Sequence, residues 1–473
     1  MSNIVSNKST PELRLVKHFH VFVSALLFFT AWMIFRYRGY TFGFDRKIRY
    51  DFYIAFAYMI LLTWFDGTFN AFTLGYFRIR DLCISQFLAQ SFSIVIMYVA
   101  VSVAWFKIKN PLIFIPMLVL QGLFDMLWSY VGTKYYYKRA LRYNTAVIYR
   151  EDSDLKRFGD ITGKPMEQLF NITRYVRYTG SDLSDILPYL EEHSALFVAG
   201  AAPSLSNELV KYCTLTGIRG FFMPPIGNVI VSGAEHIKSF STPVLSVRRA
   251  TPNAEYRFIK RAFDIFASLI GIIVLSPFML ITALLIKCYD GGPVFYRQVR
   301  LTRDGKEFRI IKFRSMRVDA EKDGVARLST GDKDPRITPV GRFIRACRLD
   351  ELPQLFNILC GDMSIVGPRP ERPEIAQKYY ETLPEFALRL QVKAGLTGYA
   401  QVYGKYNTNP YEKLEFDLLY INKMSILTDL ELMFNTFRIL FSKESTEGVD
   451  GELSGQAEKG FLGDEVILEI KDI

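Results

Sequence analysis

The chain reads as a membrane α-helical bundle, then a small α/β unit, then a mostly α domain whose first helix is itself long and apolar. Three observations carry this reading. Four apolar runs, each near the ~20 residues that span a bilayer, fill the stretch before residue 135. Short β-like runs alternate with helical spacing between residues 143 and 250. A further apolar run, Ile265 to Ile286, leads into dense blocks of polar signature rather than into another membrane segment.

Composition narrows the classes. Of 473 residues, 50% are hydrophobic and 22% charged, and the mean hydropathy is +0.12, which excludes disordered and collagen-like chains. Cys83, Cys213, Cys288, Cys347 and Cys360 are odd in number and form no C-x-x-C pair. They suit a reducing compartment and argue against a disulfide framework or a zinc site. The histidines are His18, His20, His193 and His236, so acid, base or nucleophile chemistry in the second half falls to other side chains. The net charge of +10 hides an asymmetry: residues 441 to 473 carry three lysines against nine acids, which leaves +16 on the rest. A basic body serves nucleic acid, anionic lipid or phosphorylated substrates. No zinc-finger, homeodomain-like or RNP signature is present, so the expectation is membrane lipid and phosphate, with no nucleic acid.

Residues 1 to 17 form a polar tail with no small-x-small cleavage site after the first apolar stretch, so that stretch is expected to anchor rather than to be removed. Phe19 to Phe35, Phe52 to Tyr76, Leu82 to Phe106 and Leu112 to Val131 then read as four spans in a bundle over 18–135. Asp66 and Asp125 fall within the second and fourth, where a mid-membrane acid costs about 2.5 to 3.5 kcal/mol. Both should therefore face the bundle, and with no Lys, Arg or His read inside the runs to match them, a buried hydrogen-bonded role is expected. Nine basic residues flank the runs on one side against seven on the other, which slightly favours both ends inside.

In the α/β unit, 143–250, the strand candidates are Thr145 to Tyr149, Arg174 to Tyr178, Ala195 to Val198, Gly220 to Met223 and Val244 to Val247. Asp182 to His193 and Pro203 to Thr216 carry helical spacing between them, the βα alternation of a Rossmann-like parallel sheet. Arg150-Glu151-Asp152-Ser153-Asp154 follows the first strand, with no G-x-G-x-x-G for a pyrophosphate. A scaffold or homodimerisation role is expected for this unit.

A basic lead-in opens the C-terminal domain, 256–445, whose first helix spans about 258–288 and contains Ser276-Pro277. Proline removes a backbone hydrogen bond and bends the helix, and the serine hydroxyl can satisfy the freed carbonyl. Composition leaves open a kinked spanning helix or a helix that dips into one leaflet and returns. The blocks that follow are Gly292-Pro293-Val294-Phe295, Lys312-Phe313-Arg314-Ser315-Met316, Asp334-Pro335-Arg336-Ile337-Thr338, Arg345 to Gln354, and Gly361 to Pro370. Within them Asp350 and Glu351 sit among arginines just before Pro353. At a helix start the pair can converge on one anion site, with Arg342, Arg345 and Arg348 favouring ionised Asp350 and leaving Glu351 to take a proton. The residues alone equally allow a surface capping pair. Phe343 to Leu359 has near-helical apolar spacing that suits either a membrane surface or ordinary core packing. Asp319 to Asp334 is a charged loop with the makings of a lid, and residues 446–473 form the acidic tail, which pairs locally through Val466 to Ile470 or stays disordered.

These blocks, together with Lys260-Arg261-x-Phe263-Asp264, Gly395-Leu396-Thr397-Gly398 and Asp417-Leu418-x-Tyr420-Ile421, resemble the bacterial sugar transferases, the monotopic polyprenyl-phosphate phosphoglycosyl transferases. The resemblance covers roughly 256–445, and the bundle and α/β unit in front resemble the large members that prime O-antigen, capsule and exopolysaccharide synthesis. It implies transfer of a sugar-1-phosphate from a UDP-sugar to undecaprenyl phosphate. Asp350 would be the nucleophile that forms an acyl phosphate, and Glu351 the acid/base, the two together holding Mg²⁺. Lys312, Arg314, Arg336, Arg345, Arg348, Arg369, Lys405 and Asp417 would serve substrate binding, although Lys405 stands where many members carry arginine and lacks its bidentate fork. Ser276-Pro277 would be the break of a re-entrant helix. The resemblance further implies a multi-pass protein of the bacterial inner membrane with its catalytic domain facing the cytoplasm. The rival readings are a polytopic transferase, for which the spans are too few, and a non-catalytic membrane scaffold or regulator of polysaccharide assembly.

Overall fold

The computed structural model describes residues 11–35, 49–75, 77–105, 110–139, 142–161, 168–237, 242–320, 334–404, 409–440 and 464–468. Lys405, most of the 319–334 loop and nearly all of the acidic tail lie outside them. The chain forms two compact units, Met1–Pro224 with Ser454–Ile473, and Pro225–Leu453.

The first unit begins with helices α1 (Pro11–Phe35), α2 (Arg49–Thr68), α3 (Ile79–Trp105) and α4 (Phe114–Arg139). Of these, α1, α3 and α4 are long and apolar enough to cross a membrane. The second run stops at Thr68, short of its expected end at Tyr76, and α2 with its Asp51 and Asp66 does not meet the same standard. Its outer face is nevertheless apolar, with Phe52, Tyr53, Phe56 and Ile60 exposed, while Tyr58, Leu62 and Phe65 are fully buried.

The bundle interior is polar, and one expectation is corrected there. Asp125 does have a basic partner inside the runs: His20 Nε2 lies 2.9 Å from its Oδ1, and Gln90 Nε2 donates to the same oxygen at 2.9 Å. Gln121 donates to Ser24 O and Tyr58 Oη, which links all four helices by hydrogen bonds that lipid cannot supply. His20 escapes sequence reading because it opens the first run, 105 residues before its partner.

Next comes a five-stranded sheet built from β1 (Tyr143–Tyr149), β2 (Phe170–Tyr178), β3 (Ala195–Ala199) and β4 (Arg219–Met223), with a final strand from the tail described below. All pairings are parallel, in the order β2-β1-β3-β4. Helix α5 (Asp152–Ile161) connects β1 to β2, and α6 (Pro203–Thr216) connects β3 to β4, burying Leu205, Leu209 and Cys213. The helix expected over Asp182 to His193 is only a 3-10 turn at Leu187–Tyr189, because Pro188 and the hydrogen bonds of Asp182 to Ser184 favour turns.

The second unit opens with α7 (Ile226–Val231) and the antiparallel pair β5 (Glu235–Ile237) and β6 (Val244–Ser246). Residues 225–250, read as the end of the α/β unit, thus join the C-terminal unit: Val229 is buried in its core and accepts Asn422 Nδ2 at 2.6 Å. The expected strand near Val244 pairs with β5 and not with the parallel sheet.

Helix α8 (Ala254–Asp290) extends over 37 residues, about 55 Å along the chain, with Pro277 inside it. Ser276 Oγ donates to Ile273 O at 2.8 Å. Ile273 is four residues before Pro277, so the hydroxyl replaces the hydrogen bond that proline removes, as expected. One stripe of α8, including Asp264, Ser268, Met279, Thr282 and Ile286, is buried against its own unit, whereas Phe266, Ile273, Val274, Phe278 and Leu280 are exposed.

A hairpin follows, β7 (Phe295–Leu301) and β8 (Glu307–Phe313), then α9 (Pro339–Ala346), a 3-10 turn at Leu349–Glu351, and α10 (Gln354–Cys360). Strand β9 (Ser364–Val366) pairs in parallel with β10 (Gly395–Thr397). Between and after them lie α11 (Pro373–Thr382), α12 (Tyr399–Tyr403), α13 (Pro410–Asn422) and α14 (Ile426–Leu440). Their apolar faces form a core around Ile358, Met363, Phe386, Leu414, Leu418 and Leu432. Finally β11 (Asp464–Leu468) adds to the sheet of the first unit beside β2, so this part of the tail pairs far along the chain rather than locally.

Candidate active site

The motif residues just before the catalytic blocks act as anchors. Lys260 Nζ donates to Asp429 Oδ2 at 2.7 Å, an oxygen that Tyr256 Oη also reaches at 2.8 Å. Arg261 donates to the carbonyls of Ile358 and Leu359 and so closes the C-terminus of α10. Asp264 Oδ1 accepts from Ile365 N and Ser364 Oγ at the start of β9. Helix α8 is thereby tied to α10, which follows the carboxylates, and to β9, which leads to Arg369.

Local chain geometry then presents Asp350 and Glu351. Thr338 caps α9 by accepting from Gly341 N at 2.9 Å, with Pro339 at the first helical position. Gly341 is required because a Cβ there would lie 1.9 Å from Ser315 O. This close approach seats α9 on the Lys312–Met316 block. After α9, Arg348 adopts the left-handed region at φ 56°, turning the chain into the 3-10 turn that carries the two acids.

Asn357 fixes the opposite wall. Its Oδ1 accepts from Ile311 N at 2.9 Å and its Nδ2 donates to Arg309 O at 2.9 Å, so this α10 side chain pairs with β8 as a strand would. That places Lys312, at the end of β8, over Glu351.

Glu351 Oε1 receives Lys312 Nζ at 3.3 Å and Arg369 Nη2 at 2.8 Å, and Oε2 lies 4.0 Å from Arg348. Burial alone would raise this carboxyl, but Arg369, Lys312 and Arg348 outweigh it and hold it well below the usual range. Lys312 is lowered, chiefly by burial. The Asp350 side chain makes no hydrogen bond or ion pair among the described residues. Burial, and then the charge of Glu351, raise its carboxyl against the pull of Lys312, Arg345 and Arg348. The expected division between the acids is therefore reversed: Glu351 is the fixed anion, and Asp350 has the higher proton affinity. The reason is that Lys312 and Arg369, remote in sequence, make their direct contacts with Glu351, while Lys312 acts on Asp350 only at longer range.

The remaining predicted contacts divide. Arg314 is buried and paired to Asp290, with Nη1 to Oδ2 at 2.8 Å. Arg336 forks onto Asp334, its Nε at 2.9 Å and Nη2 at 2.6 Å. Asp417 is fully buried and bound to Arg389 Nη2 at 2.7 Å, not to the acid pair. Thus Lys312, Arg345, Arg348 and Arg369 surround the carboxylates, while Arg314, Arg336 and Asp417 are engaged in ion pairs of the fold. Asn357 and Arg389 were not anticipated. A buried asparagine between Leu355 and Ile358 is the signal for the former, since a polar side chain inside an apolar turn needs a partner.

Residues 255–443 match the bacterial sugar transferase family model. An exopolysaccharide production protein, PSS, of Rhizobium leguminosarum bv. phaseoli is 41% identical over 187 residues, which are 38% of this chain and 92% of that protein. The chain belongs to the bacterial sugar transferase family. Two longer relatives are a UDP-N-acetylgalactosamine-undecaprenyl-phosphate N-acetylgalactosaminephosphotransferase of Aeromonas hydrophila and a UDP-glucose:undecaprenyl-phosphate glucose-1-phosphate transferase of Klebsiella pneumoniae. They are 41% and 40% identical, over 40% and 49% of this chain and 45% and 50% of their own. The chain thus spans about half the length of these curated relatives.

Proposed function

We propose that this protein transfers a sugar-1-phosphate from a UDP-sugar to undecaprenyl phosphate, priming polysaccharide synthesis through a phosphosugar held on Asp350. The observation that carries this reading is the contrast between the acids: Glu351 is gripped by three cations, and Asp350 beside it has no hydrogen bond or ion pair among the described residues and a raised proton affinity, a stronger nucleophile than an ordinary aspartate.

In the first step an Asp350 carboxylate oxygen forms a bond to the phosphorus that bears the sugar. The phosphoanhydride bond to the nucleotide breaks, and UMP leaves with the electron pair. In the second step an acceptor phosphate oxygen attacks the same phosphorus, and the Asp350 carboxylate departs to leave a lipid diphosphosugar. A phosphate monoester loses its second proton near pH 6, so the acceptor needs no strong base. This accords with a Glu351 that stays ionised and works by fixing Lys312 and Arg369 where phosphate charge is to be neutralised.

Asp350 and Glu351 also fit Mg²⁺. Among the described residues the Asp350 oxygens are unengaged hard donors beside a second carboxylate, and no group of three His, Cys, Asp or Glu residues suited to a metal exists among them. This is the donor set of an ion completed by substrate phosphates and water. Bound there, Mg²⁺ would supply charge neutralisation to the diphosphate.

We further read α8 as re-entrant. Its stripe from Lys260 to Asp290 packs on one unit, to which both ends return: Lys260 to Asp429 and Asp290 to Arg314. A straight crossing would carry one end to the far side of a bilayer from the other. This reading keeps the carboxylates at the membrane surface, where a lipid phosphate arrives, and accords with an inner-membrane protein whose catalytic unit faces the cytoplasm. We read the parallel sheet as Rossmann-like, in a scaffold or homodimerisation role.

Incubation with Mg²⁺, undecaprenyl phosphate and a panel of UDP-sugars tests the reaction. Repeated turnover that needs the lipid, with UMP release abolished in Asp350→Ala, is expected; silence across the panel favours the scaffold reading.

A further inference from the structure

Arg369 meets Glu351 from a segment, Pro368-Arg369-Pro370, that belongs to no helix or strand. Such a segment would ordinarily move, yet its three successive carbonyls are each taken. Gly395 N donates to Pro368 O at 2.9 Å, Arg389 Nη2 to Arg369 O at 2.8 Å, and Arg300 Nη1 to Pro370 O at 3.1 Å. The middle donor is the unusual one. Arg389 is 3% exposed, stacks at 4.7 Å over the Phe386 ring, and is ion-paired to Asp417 at 2.7 Å and to Glu371 at 3.6 Å. Lys413 Nζ lies 3.6 Å from the same Glu371 oxygen. A neutral donor would satisfy one carbonyl at less cost than a buried guanidinium with two carboxylates. What the guanidinium adds is direction: its Nη2 donates to the Arg369 carbonyl while lying 2.7 Å from the Asp417 carboxylate, so the ion pair fixes the group that holds the segment.

We propose that Arg389, anchored by Asp417 and Glu371, is a positioning residue for phosphosugar transfer, holding the main chain of Arg369 so that its guanidinium is aimed at Glu351 and the donor diphosphate. The proposal rests on the transferase reading above. Arg389 touches neither acid of the pair; it acts through Arg369. Asp417, expected at the substrate, belongs to this anchor.

The test is a double-mutant cycle on the full chain in detergent or nanodiscs, with Mg²⁺, undecaprenyl phosphate and a UDP-sugar panel, reading UMP. Wild-type protein is measured first. No release with any donor overturns the reaction itself, and the positioning role with it. With wild type active, Arg389→Lys is expected to lower kcat about 10- to 100-fold, with the donor KM changed less than about 3-fold. Combined with Arg369→Ala, it should cost nothing beyond Arg369→Ala alone, because the path to the site is already cut. A double variant slower by the product of the two single losses, or Arg389→Lys with wild-type kcat, overturns the proposal while the reaction stands. Should Arg389→Lys fail to fold, Asp417→Asn keeps the arginine and the side-chain shape, and the same cycle against Arg369→Ala decides on the same criterion.

Discussion

Arg369 Nη2 donates to Glu351 Oε1 at 2.8 Å, and this contact polarises the acid pair. With Lys312 on the same oxygen, Glu351 is fixed as an anion, and its charge helps to keep Asp350 the more basic neighbour.

Glu351→Gln should cost kcat about 100-fold, because the amide keeps a hydrogen-bonding oxygen but releases the charge that orders Lys312 and Arg369. Asp350→Asn should lose about a thousandfold or more, having no nucleophile. Steady-state UMP release ranks them; equal losses contradict the assignment.

Arg348 separates backbone from charge. A left-handed residue other than glycine costs about 1 kcal/mol or more, so Arg348→Gly should unfold less readily than Arg348→Ala by about that amount. Both remove the guanidinium from Glu351 and should be similarly impaired in turnover. Thermal melts beside kcat values check the pair.

Asp417 gives a pH signature. Burial raises its carboxyl to about 6 against the pull of Arg389, while the unfolded chain keeps the ordinary 3.8. Between pH 4 and 6 the fold therefore holds a proton that the unfolded chain has lost, and this group's contribution to stability falls as pH rises through that window, by about 3 kcal/mol, then levels off. The difference in stability between wild type and Asp417→Asn should follow that slope. A difference flat across pH 4 to 6 contradicts it.

Helix α8 can be tested from its ends. In a background without other cysteines, native Cys288 and a cysteine at Glu255 should both react with a membrane-impermeant maleimide from the same side of sealed vesicles. Labelling from opposite sides contradicts re-entrance. Pro277→Leu restores the backbone hydrogen bond to Ile273 O and should straighten the helix, moving residue 288 away from that side.

The layout of the chain was legible because apolar runs and βα alternation are local signals. Four helices, parallel strands and the Ser276 hydroxyl on Ile273 O all follow from neighbours in sequence. Pairings across long separations were not legible. Nothing near Asp125 announces His20, nothing near Arg369 announces Arg389, and adjacency cannot say whether Asp350 or Glu351 receives Lys312 from β8. Arg314 and Arg336 looked like phosphate ligands because they sit in motif blocks, yet Asp290 and Asp334 engage them inside the fold. Residue type marked where charge is needed; only the fold shows which charges are already paired.

The most direct measurement is a single turnover without acceptor: enzyme, Mg²⁺ and an active UDP-sugar, with the lipid withheld. The account predicts a burst of about one UMP per protein and a phosphosugar recovered by mass spectrometry on the peptide carrying Asp350, absent in Asp350→Asn. UMP released only when undecaprenyl phosphate is present, with no mass added to that peptide, would contradict it.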